Sequence, residues 1–253
     1  MTYRGSKYFL TSDKKRIKYY FLNNNSQTTV VFFHGFMSNM VGEKPSQIQK
    51  FCKRRKINFL KFEYSGHGKS SGKFTEGNIS KWTNQSKQLI NLKNKNKNLI
   101  FVGSSMGSWI ALNLIKLFKN QVKGFIGIAS APEFLQKLMW DKFSNKIKKI
   151  IIKKKIYYLD HGGFNYPLTK QLIFDGKKNK ILKKNIDLKI PIVLFHGLKD
   201  KVVPTRFSKK ILNYFKGKNK KLIKIKNGDH SLSRKSDLKK ICSALNFMIF
   251  NHL

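Results

Sequence analysis

Short apolar runs and longer stretches of helical spacing alternate along this chain of 253 residues. Runs such as Val30-Val31-Phe32-Phe33 are continuous in β-branched and aromatic residues, which is typical of strands buried on both faces of a sheet. Between the runs, apolar residues recur every three or four positions, as they do on the buried face of a helix. The pattern predicts strands at 7–10, 16–22, 29–33, 57–62, 99–102, 121–129, 190–195 and 221–225, and helices at 45–56, 79–93, 109–118, 204–215 and 234–249.

This order of elements predicts an α/β fold with a mostly parallel central sheet and helices on both of its faces. The first two strands are expected to form an N-terminal antiparallel hairpin, because only a short polar turn separates them. Between about 132 and 187 the pattern changes, and apolar clusters alternate with lysine clusters. We expect this segment to be a short helical lid within a single domain over 1–253. A basic helix pair on the surface, without substrate contact, is the alternative.

The sequence Gly103-Ser104-Ser105-Met106-Gly107 lies between a predicted strand and a predicted helix. A Gly-x-Ser-x-Gly turn in this context is typical of a nucleophile elbow, which lifts the serine hydroxyl clear of the sheet. The backbone N–H of Met106 lies at the N-terminus of the helix, where it favours a developing oxyanion. Ser105 is therefore the candidate nucleophile and Met106 a candidate oxyanion donor. The alternative is an ordinary turn that joins a strand to a helix.

Candidates for an acid and a base follow the last two predicted strands. Asp200 comes after the seventh predicted strand, and His230 comes after the eighth. His230 would accept the proton of Ser105, while Asp200 would fix the imidazole tautomer and stabilise its charged form. Asp200 has an alternative role as the cap of the helix at 204–215. Asp229 is adjacent to His230, but the side chains of neighbouring loop residues tend to diverge, so Asp200 is preferred as the acid.

The formal net charge of +41 at pH 7 raises nucleic acid or an anionic membrane as partners. However, only six of the 53 basic residues are arginine, whereas recognition of phosphate groups favours arginine. The lysine excess extends over the whole chain together with frequent Asn, Ile and Phe, which favours a compositional bias. We therefore expect no specific nucleic acid partner, and only a weak, salt-sensitive attraction to polyanions.

The two cysteines, Cys52 and Cys242, lie on predicted helices and lack metal-type spacing. We interpret them as reduced thiols and expect no metal site. The first residues lack the apolar core of a secretory signal, and no apolar run reaches the ~18 residues that a membrane span needs. These features predict a cytoplasmic protein without a transmembrane segment.

Five sequence segments carry a resemblance to a known family: residues 34–44, 51–52, 64–66, 103–109 and 196–204. Over about residues 28–250 the chain resembles the α/β-hydrolase superfamily. More narrowly, it is similar to the group of mitochondrial palmitoyl-protein thioesterases and acyl-glucuronide esterases with their bacterial relatives. The resemblance implies the α/β-hydrolase fold, with Ser105, Asp200 and His230 as nucleophile, acid and base. It also implies the backbone N–H of Phe36 as the second oxyanion donor, and neither a metal nor an organic cofactor.

Two histidines earlier in the chain are interpreted as structural. His34 follows the strand at 29–33 and is expected to pack beneath its loop, because the base should lie in a late loop. His67 lies in the run Gly66-His67-Gly68, whose glycines favour a compact turn that shapes the floor of a site.

The leading hypothesis is a serine hydrolase that cleaves a small-molecule carboxylic ester or acyl thioester through an acyl-enzyme on Ser105. The run Gly66-His67-Gly68 is closer to monoacylglycerol lipases and serine aminopeptidases, which form the alternative among enzymes. An aminopeptidase needs an acidic pocket for the substrate amine, and the chain has only 12 carboxylate side chains. A basic protein that binds nucleic acid or a membrane surface on a hydrolase scaffold is the third hypothesis. The oligomeric state is not predicted.

Overall fold

The computed structural model describes residues 5–94, 97–161, 163–182, 186 and 188–251. Its strands are β1 (Lys7–Leu10), β2 (Arg16–Leu22), β3 (Thr28–Phe33), β4 (Asn58–Phe62), β5 (Asn98–Ser104), β6 (Val122–Ile128), β7 (Ile156–His161), β8 (Phe164–Thr169), β9 (Ile192–Gly197) and β10 (Lys220–Ile225). Its α-helices are α1 (Glu43–Arg54), α2 (Ile79–Asn94), α3 (Met106–Leu117), α4 (Asn145–Lys154), α5 (Lys170–Lys178), α6 (Arg206–Tyr214) and α7 (Lys235–Asn251).

Eight of these strands form one central sheet in the order β1-β2-β4-β3-β5-β6-β9-β10. β1 pairs with β2 and β2 pairs with β4 in antiparallel fashion, whereas all the other neighbouring strands are parallel. The prediction of a mostly parallel sheet with an antiparallel N-terminal hairpin is therefore confirmed. Because the parallel strands share one direction, the loops that follow β3, β5, β9 and β10 meet at the carboxyl edge of the sheet.

Alternate residues of the central strands point into two separate apolar cores, since side chains along a strand alternate between its faces. Val31 and Phe33 of β3 belong to one core, which includes apolar residues of α2, α3 and α6. Val30 and Phe32 belong to the other core, which includes apolar residues of α1 and α7. Both faces of the sheet are thus covered by helices. This explains why β3 is apolar at successive positions.

The segment at 132–187 is an insertion between β6 and β9. It begins with a π-helical turn at Leu135–Met139 and continues with α4, the antiparallel hairpin β7–β8 and α5. The apolar pattern did not predict the hairpin. Helix α5 is joined to α2, because the backbone N–H and the hydroxyl of Ser80 donate to the Asp175 carboxylate at 2.9 and 2.5 Å. The expected end of the segment, near residue 187, lies outside the described residues.

The two cysteines are free thiols on facing helices. Cys52 of α1 is fully buried and Cys242 of α7 is half-buried, and burial raises the pKa of both thiols. None of the helices within the described ranges combines the length and hydropathy that a membrane crossing requires.

Candidate active site

Ser105 lies at a sharp turn between β5 and α3. Its φ of 51° and ψ of −118° place it outside the helix that begins at Met106. Its backbone N–H donates to the carbonyl of Ile128 at 2.9 Å, which ties the turn to the end of β6. A positive φ at a residue other than glycine is a strained conformation that surrounding contacts must hold in place. The predicted sharp turn between strand and helix is therefore present, and Ser105 is one of the non-glycine residues with a positive φ.

The two glycines of the turn allow close backbone packing. A Cβ atom at Gly107 would overlap the carbonyl group of Phe33 in β3, and one at Gly103 would lie 2.5 Å from the Cα of Ser108. The hydroxyl of Ser108 donates to the carbonyl of Gly103 at 2.7 Å. Strand, turn and helix are thus packed too tightly for any side chain at these two positions.

The structure brings Ser105, His230 and Asp200 together in one chain of hydrogen bonds. The Nε2 atom of His230 lies 3.1 Å from the hydroxyl oxygen of Ser105, and its Nδ1 atom lies 2.8 Å from Oδ2 of Asp200. The side chain of Asp200 is 1% exposed, whereas that of His230 is 28% exposed. Asp200 accepts the Nδ1–H of the imidazole, so Nε2 is left to accept the serine proton. Three loops that are distant in sequence supply this arrangement.

The carboxylate of Asp200 is fixed by its own loop as well as by His230. Its Oδ1 atom accepts the backbone N–H groups of Val202 and Val203, each at 2.8 Å. Burial acts to raise the pKa of Asp200, but the bonds from His230, Val203 and Val202 together lower it below its ordinary value. Asp200 therefore stays ionised. Helix α6 begins at Arg206 with Thr205 as its cap, so Asp200 does not cap it.

His196 is a second histidine beside Asp200 that the sequence did not single out. Its Nε2–H donates to the carbonyl of Val203 at 2.8 Å and lies 3.4 Å from Oδ2 of Asp200, while its Nδ1 accepts the hydroxyl of Ser208 at 2.8 Å. Burial lowers the pKa of His196, although Val203 and Asp200 oppose that shift. We interpret His196 as a neutral support that holds the loop around the acid. The signals that could have found it are its place at the end of a buried strand and its position at the start of segment 196–204.

The loop after β3 lies directly against the candidate nucleophile. A Cβ atom at Gly35 would lie 3.5 Å from the Cβ of Ser105. The ring of the next residue, Phe36, packs edge-on against Phe74 and Phe134 and stacks on Tyr166 of the insertion, with ring centroids 5.1, 5.3 and 6.0 Å apart. Met106 is the first residue of α3, so its N–H lacks a partner within the helix. Phe36 and Met106 therefore lie on the two backbone segments that flank Ser105.

Lys44 and Glu63 brace the surrounding loops, and sequence reasoning missed both roles. The ammonium of Lys44 donates to the carbonyl of Ser231 at 2.5 Å, immediately after His230 in the chain. Burial lowers the pKa of Lys44, and the charge of Asp229 partly opposes this. The buried carboxylate of Glu63 accepts the backbone N–H groups of Met40 and Lys69 at 3.4 and 2.6 Å. These contacts join residues far apart in sequence, so only the folded chain reveals them.

His34 and His67 lie in the core beneath the candidate site, as expected. The Nδ1–H of His34 donates to the carbonyl of Gly35 at 2.8 Å. Burial and the charge of His67 lower the pKa of His34 well below its ordinary value, although the bond to the Gly35 carbonyl opposes that shift. Burial lowers the pKa of His67 to about 4. Neither histidine contacts Ser105 in the hydrogen bonds of the described residues, and the described part of the chain contains no cluster of three side chains suited to a metal ion.

Comparison with known proteins identifies the family to which the chain belongs. The model of the family described as serine aminopeptidase, S33, matches residues 24–161, which is more than half of the chain. The chain belongs to this family of α/β hydrolases.

One curated relative and two solved structures are similar to this chain. The human mitochondrial palmitoyl-protein thioesterase ABHD10 is 27% identical over 225 residues, which cover 87% of this chain and 72% of that protein. The structure of mouse α/β hydrolase domain-containing protein 10 has a TM-score of 0.85 at 26% identity, covering 96% of this chain and 98% of its own. A crystal structure of an Agrobacterium vitis S4 protein has a TM-score of 0.91 at 27% identity, with the same coverage of both chains. The chain is thus a hydrolase of α/β fold with esterase-like and thioesterase-like relatives.

Proposed function

We propose that this protein hydrolyses carboxylic esters or acyl thioesters of small molecules through an acyl-enzyme formed on Ser105. The observation that carries the proposal is the hydrogen-bonded chain from Ser105 through His230 to Asp200, with distances of 3.1 and 2.8 Å. This order of donor and acceptor is the one that general-base activation of a serine requires.

In the first half of the reaction the hydroxyl oxygen of Ser105 attacks the acyl carbon, and its proton passes to Nε2 of His230. The carbonyl oxygen then carries a negative charge, which the backbone N–H groups of Met106 and Phe36 would stabilise. When the tetrahedral intermediate collapses, the alkoxide or thiolate leaves with the proton from His230. Asp200 stabilises the transient imidazolium without taking its proton.

In the second half water attacks the acyl-enzyme. His230 accepts a proton from the water, and the resulting hydroxide adds to the acyl carbon. Collapse of the second intermediate returns the proton to Ser105 and releases the carboxylic acid. Both halves need only Ser105, His230, Asp200 and the two backbone donors.

The carboxylates around the site favour an ester or thioester over a peptide with a free amine. Glu133 accepts the backbone N–H groups of Ile181 and Leu182 at 2.9 and 3.0 Å, and Asp229 accepts that of Leu232 at 2.9 Å. These carboxylates therefore stabilise loops by accepting backbone N–H groups, and they do not form an acidic pocket for a substrate ammonium. Aminopeptidase activity, the description of the matching family, remains the alternative outcome of the test.

We also propose that residues 132–187 act as a lid over the acyl group, because Phe36 packs against Phe134 and Tyr166 of this segment. Lids exclude water and form walls for the acyl chain. The single-domain organisation and the cytoplasmic location stay predictions, and the curated relatives are mitochondrial by name.

The test is hydrolysis of p-nitrophenyl butyrate, of an acyl-CoA thioester and of an aminoacyl-naphthylamide by the wild type, Ser105→Ala and Ser104→Ala. Ser104 is the matched control, because it is the neighbouring serine of the same turn. We expect Ser105→Ala to lose at least about 10⁴-fold in kcat on the ester, since the nucleophile is removed. Ser104→Ala should stay within about tenfold of the wild type.

Equal activity of Ser105→Ala and the wild type would contradict the proposal. Faster cleavage of the naphthylamide than of both acyl substrates would replace it with an aminopeptidase.

A further inference from the structure

The outer side of the insertion carries a groove that the proposed chemistry does not use. Its volume is about 500 Å³, and it lies between a tryptophan ring and helix α4. Its lining combines one aromatic, one aliphatic and one amide side chain with three ammonium groups: Trp140, Asn145, Lys148, Lys149, Ile152 and Lys153. Lys148 lies over the ring of Trp140, with its Nζ 5.8 Å from the ring centroid.

Helix α4 presents opposite kinds of side chain to the protein and to solvent. Five of its ten residues are lysine, and none is Asp or Glu. Ile151 is its buried residue and packs with Leu168 of β8 and Ile173 of α5. The next residue, Ile152, is 42% exposed. The outer face of α4 therefore mixes positive charge with exposed aliphatic surface.

The adjacent hairpin adds an exposed aromatic ring. Phe164 of β8 is 67% exposed and shares a face of the hairpin with Tyr166, whereas Tyr158 of β7 points to the other face. The ring of Phe164 lies 6.4 Å from that of Tyr166, which stacks on Phe36 at 6.0 Å. A line of rings thus runs from the exposed hairpin to the loop beside Ser105. Large exposed apolar side chains grouped on one segment mark an interaction surface.

We propose that this lid surface, formed by the α4 groove and the exposed ring of Phe164 on the β7–β8 hairpin, docks on an anionic lipid bilayer. The ammonium groups of Lys148, Lys149 and Lys153 bind lipid phosphates electrostatically. Ile152 and Phe164 enter the boundary between headgroups and acyl chains, where aliphatic and aromatic side chains are stabilised. Docking at this surface presents the line of rings, and with it the candidate active site, to molecules dissolved in the bilayer.

A bilayer explains the composition of the lid surface better than a nucleic acid does. Residues 132–187 contain no arginine, although arginine is the usual side chain for bidentate phosphate contacts. Aromatic rings such as those of Trp140 and Phe164 suit either partner, but the exposed aliphatic side chain of Ile152 suits an acyl chain and not a base. The overall positive charge accounts for the lysines but not for the exposed apolar side chains of Ile152 and Phe164 beside them.

Co-sedimentation of the full-length chain with vesicles tests this proposal without measuring hydrolysis. Vesicles of phosphatidylglycerol mixed with phosphatidylcholine should bind the wild type and Ser105→Ala equally, and pure phosphatidylcholine should bind both weakly. Replacing Lys148, Lys149 and Lys153 together by Gln should lower partitioning onto the mixed vesicles by about 100-fold. The matched control replaces Lys53, Lys239 and Lys240, on α1 and α7 of the opposite face, by Gln and should lower it less than about threefold.

A second variant tests the apolar contribution. Phe164→Ala should lower the binding that persists at about 0.5 M NaCl, where surface charges are screened. Unchanged far-UV circular dichroism and melting temperature establish that each variant is folded. Equal losses in the two triple variants would overturn the proposal, since attraction would then depend on total charge alone. Polyuridylate that binds the wild type as tightly as the vesicles, and loses binding in the same triple variant, would assign the surface to nucleic acid instead.

Discussion

The carboxyl edge of the sheet and the insertion at 132–187 are built in opposite ways. At the edge, Asp200 is buried and accepts several hydrogen bonds, and His196 and Lys44 hold the neighbouring loops. The insertion exposes lysines and aromatic rings. Acyl transfer needs groups that are already oriented before the substrate arrives. Contact with a substrate or a surface needs exposed groups instead, so under the proposed function the two regions would serve different tasks.

The largest expected effect is at the acid. Asp200→Asn keeps the size of the side chain but presents an amide to His230, which favours the wrong imidazole tautomer. We expect kcat for p-nitrophenyl butyrate to fall by about 10⁴-fold with little change in stability. Asp229→Asn is the matched control, because it is the adjacent carboxylate and its remaining oxygen still accepts the N–H of Leu232. A larger loss in Asp229→Asn than in Asp200→Asn would reverse the assignment.

A substitution at Lys44 tests whether activity depends on support of the His230 loop by a residue outside the triad. Lys44→Met removes the bonds to the Ser231 carbonyl and the Ser233 hydroxyl, so the loop that carries His230 loses its support. We expect kcat to fall roughly tenfold to a hundredfold, with KM within about twofold of the wild type. Lys44→Arg should recover most of this loss, and the exposed control Lys50→Met should have no effect. A change confined to KM would indicate contact with the substrate instead.

The buried histidine pair beneath the edge predicts a pH dependence of stability. The pKa of His67 is about 4 in the folded protein and close to 6.5 in the unfolded chain, so only the unfolded chain binds a proton between these values. The free energy of unfolding therefore falls as pH decreases through this window. At pH 5 we expect His67 to lower it by about 2 kcal/mol relative to pH 7.5.

The measurement is urea denaturation of the wild type and His67→Phe at both pH values. Phenylalanine keeps a ring beside Phe74 and Trp82, and the carbonyl of Ser65 retains the indole N–H of Trp82 at 3.1 Å. The variant should lose about 2 kcal/mol less than the wild type on acidification. An identical loss in the two proteins would exclude His67 as the titrating group.

The smallest expected effect is on the attachment of the insertion. Asp175→Ala removes the acceptor of the Ser80 hydroxyl and backbone N–H, so α5 is held less firmly to α2. We expect a loss of about 1 kcal/mol in the free energy of unfolding. Asp175→Asn, which keeps one acceptor oxygen, should lose less, as measured by urea denaturation. A loss as large as that caused by a core truncation would mean that the insertion is part of the main core.

Much of this arrangement was predictable from local sequence. The alternation of strands and helices predicted the sheet, and the turn around Ser105 was recognisable because two glycines are required there. The hairpin β7–β8 was not predicted. Its polar residues and lysine-rich flanks interrupt the alternation of apolar and polar positions that would indicate strands. Lys44 and Glu63 were missed for another reason. Their partners Ser231, Met40 and Lys69 come close only through tertiary packing. The spacing of apolar residues along the sequence does not reveal such contacts.

The central claim is that Ser105 forms a covalent bond with the acyl group. A fluorophosphonate measures this most directly, because an activated serine oxygen displaces fluoride and keeps the phosphonyl group. Intact-mass and peptide analysis should find one adduct, on the peptide that contains Ser105, in the wild type and in Ser104→Ala. Ser105→Ala should remain unlabelled. An adduct on another residue, or an unlabelled wild type that still hydrolyses esters, would contradict the account.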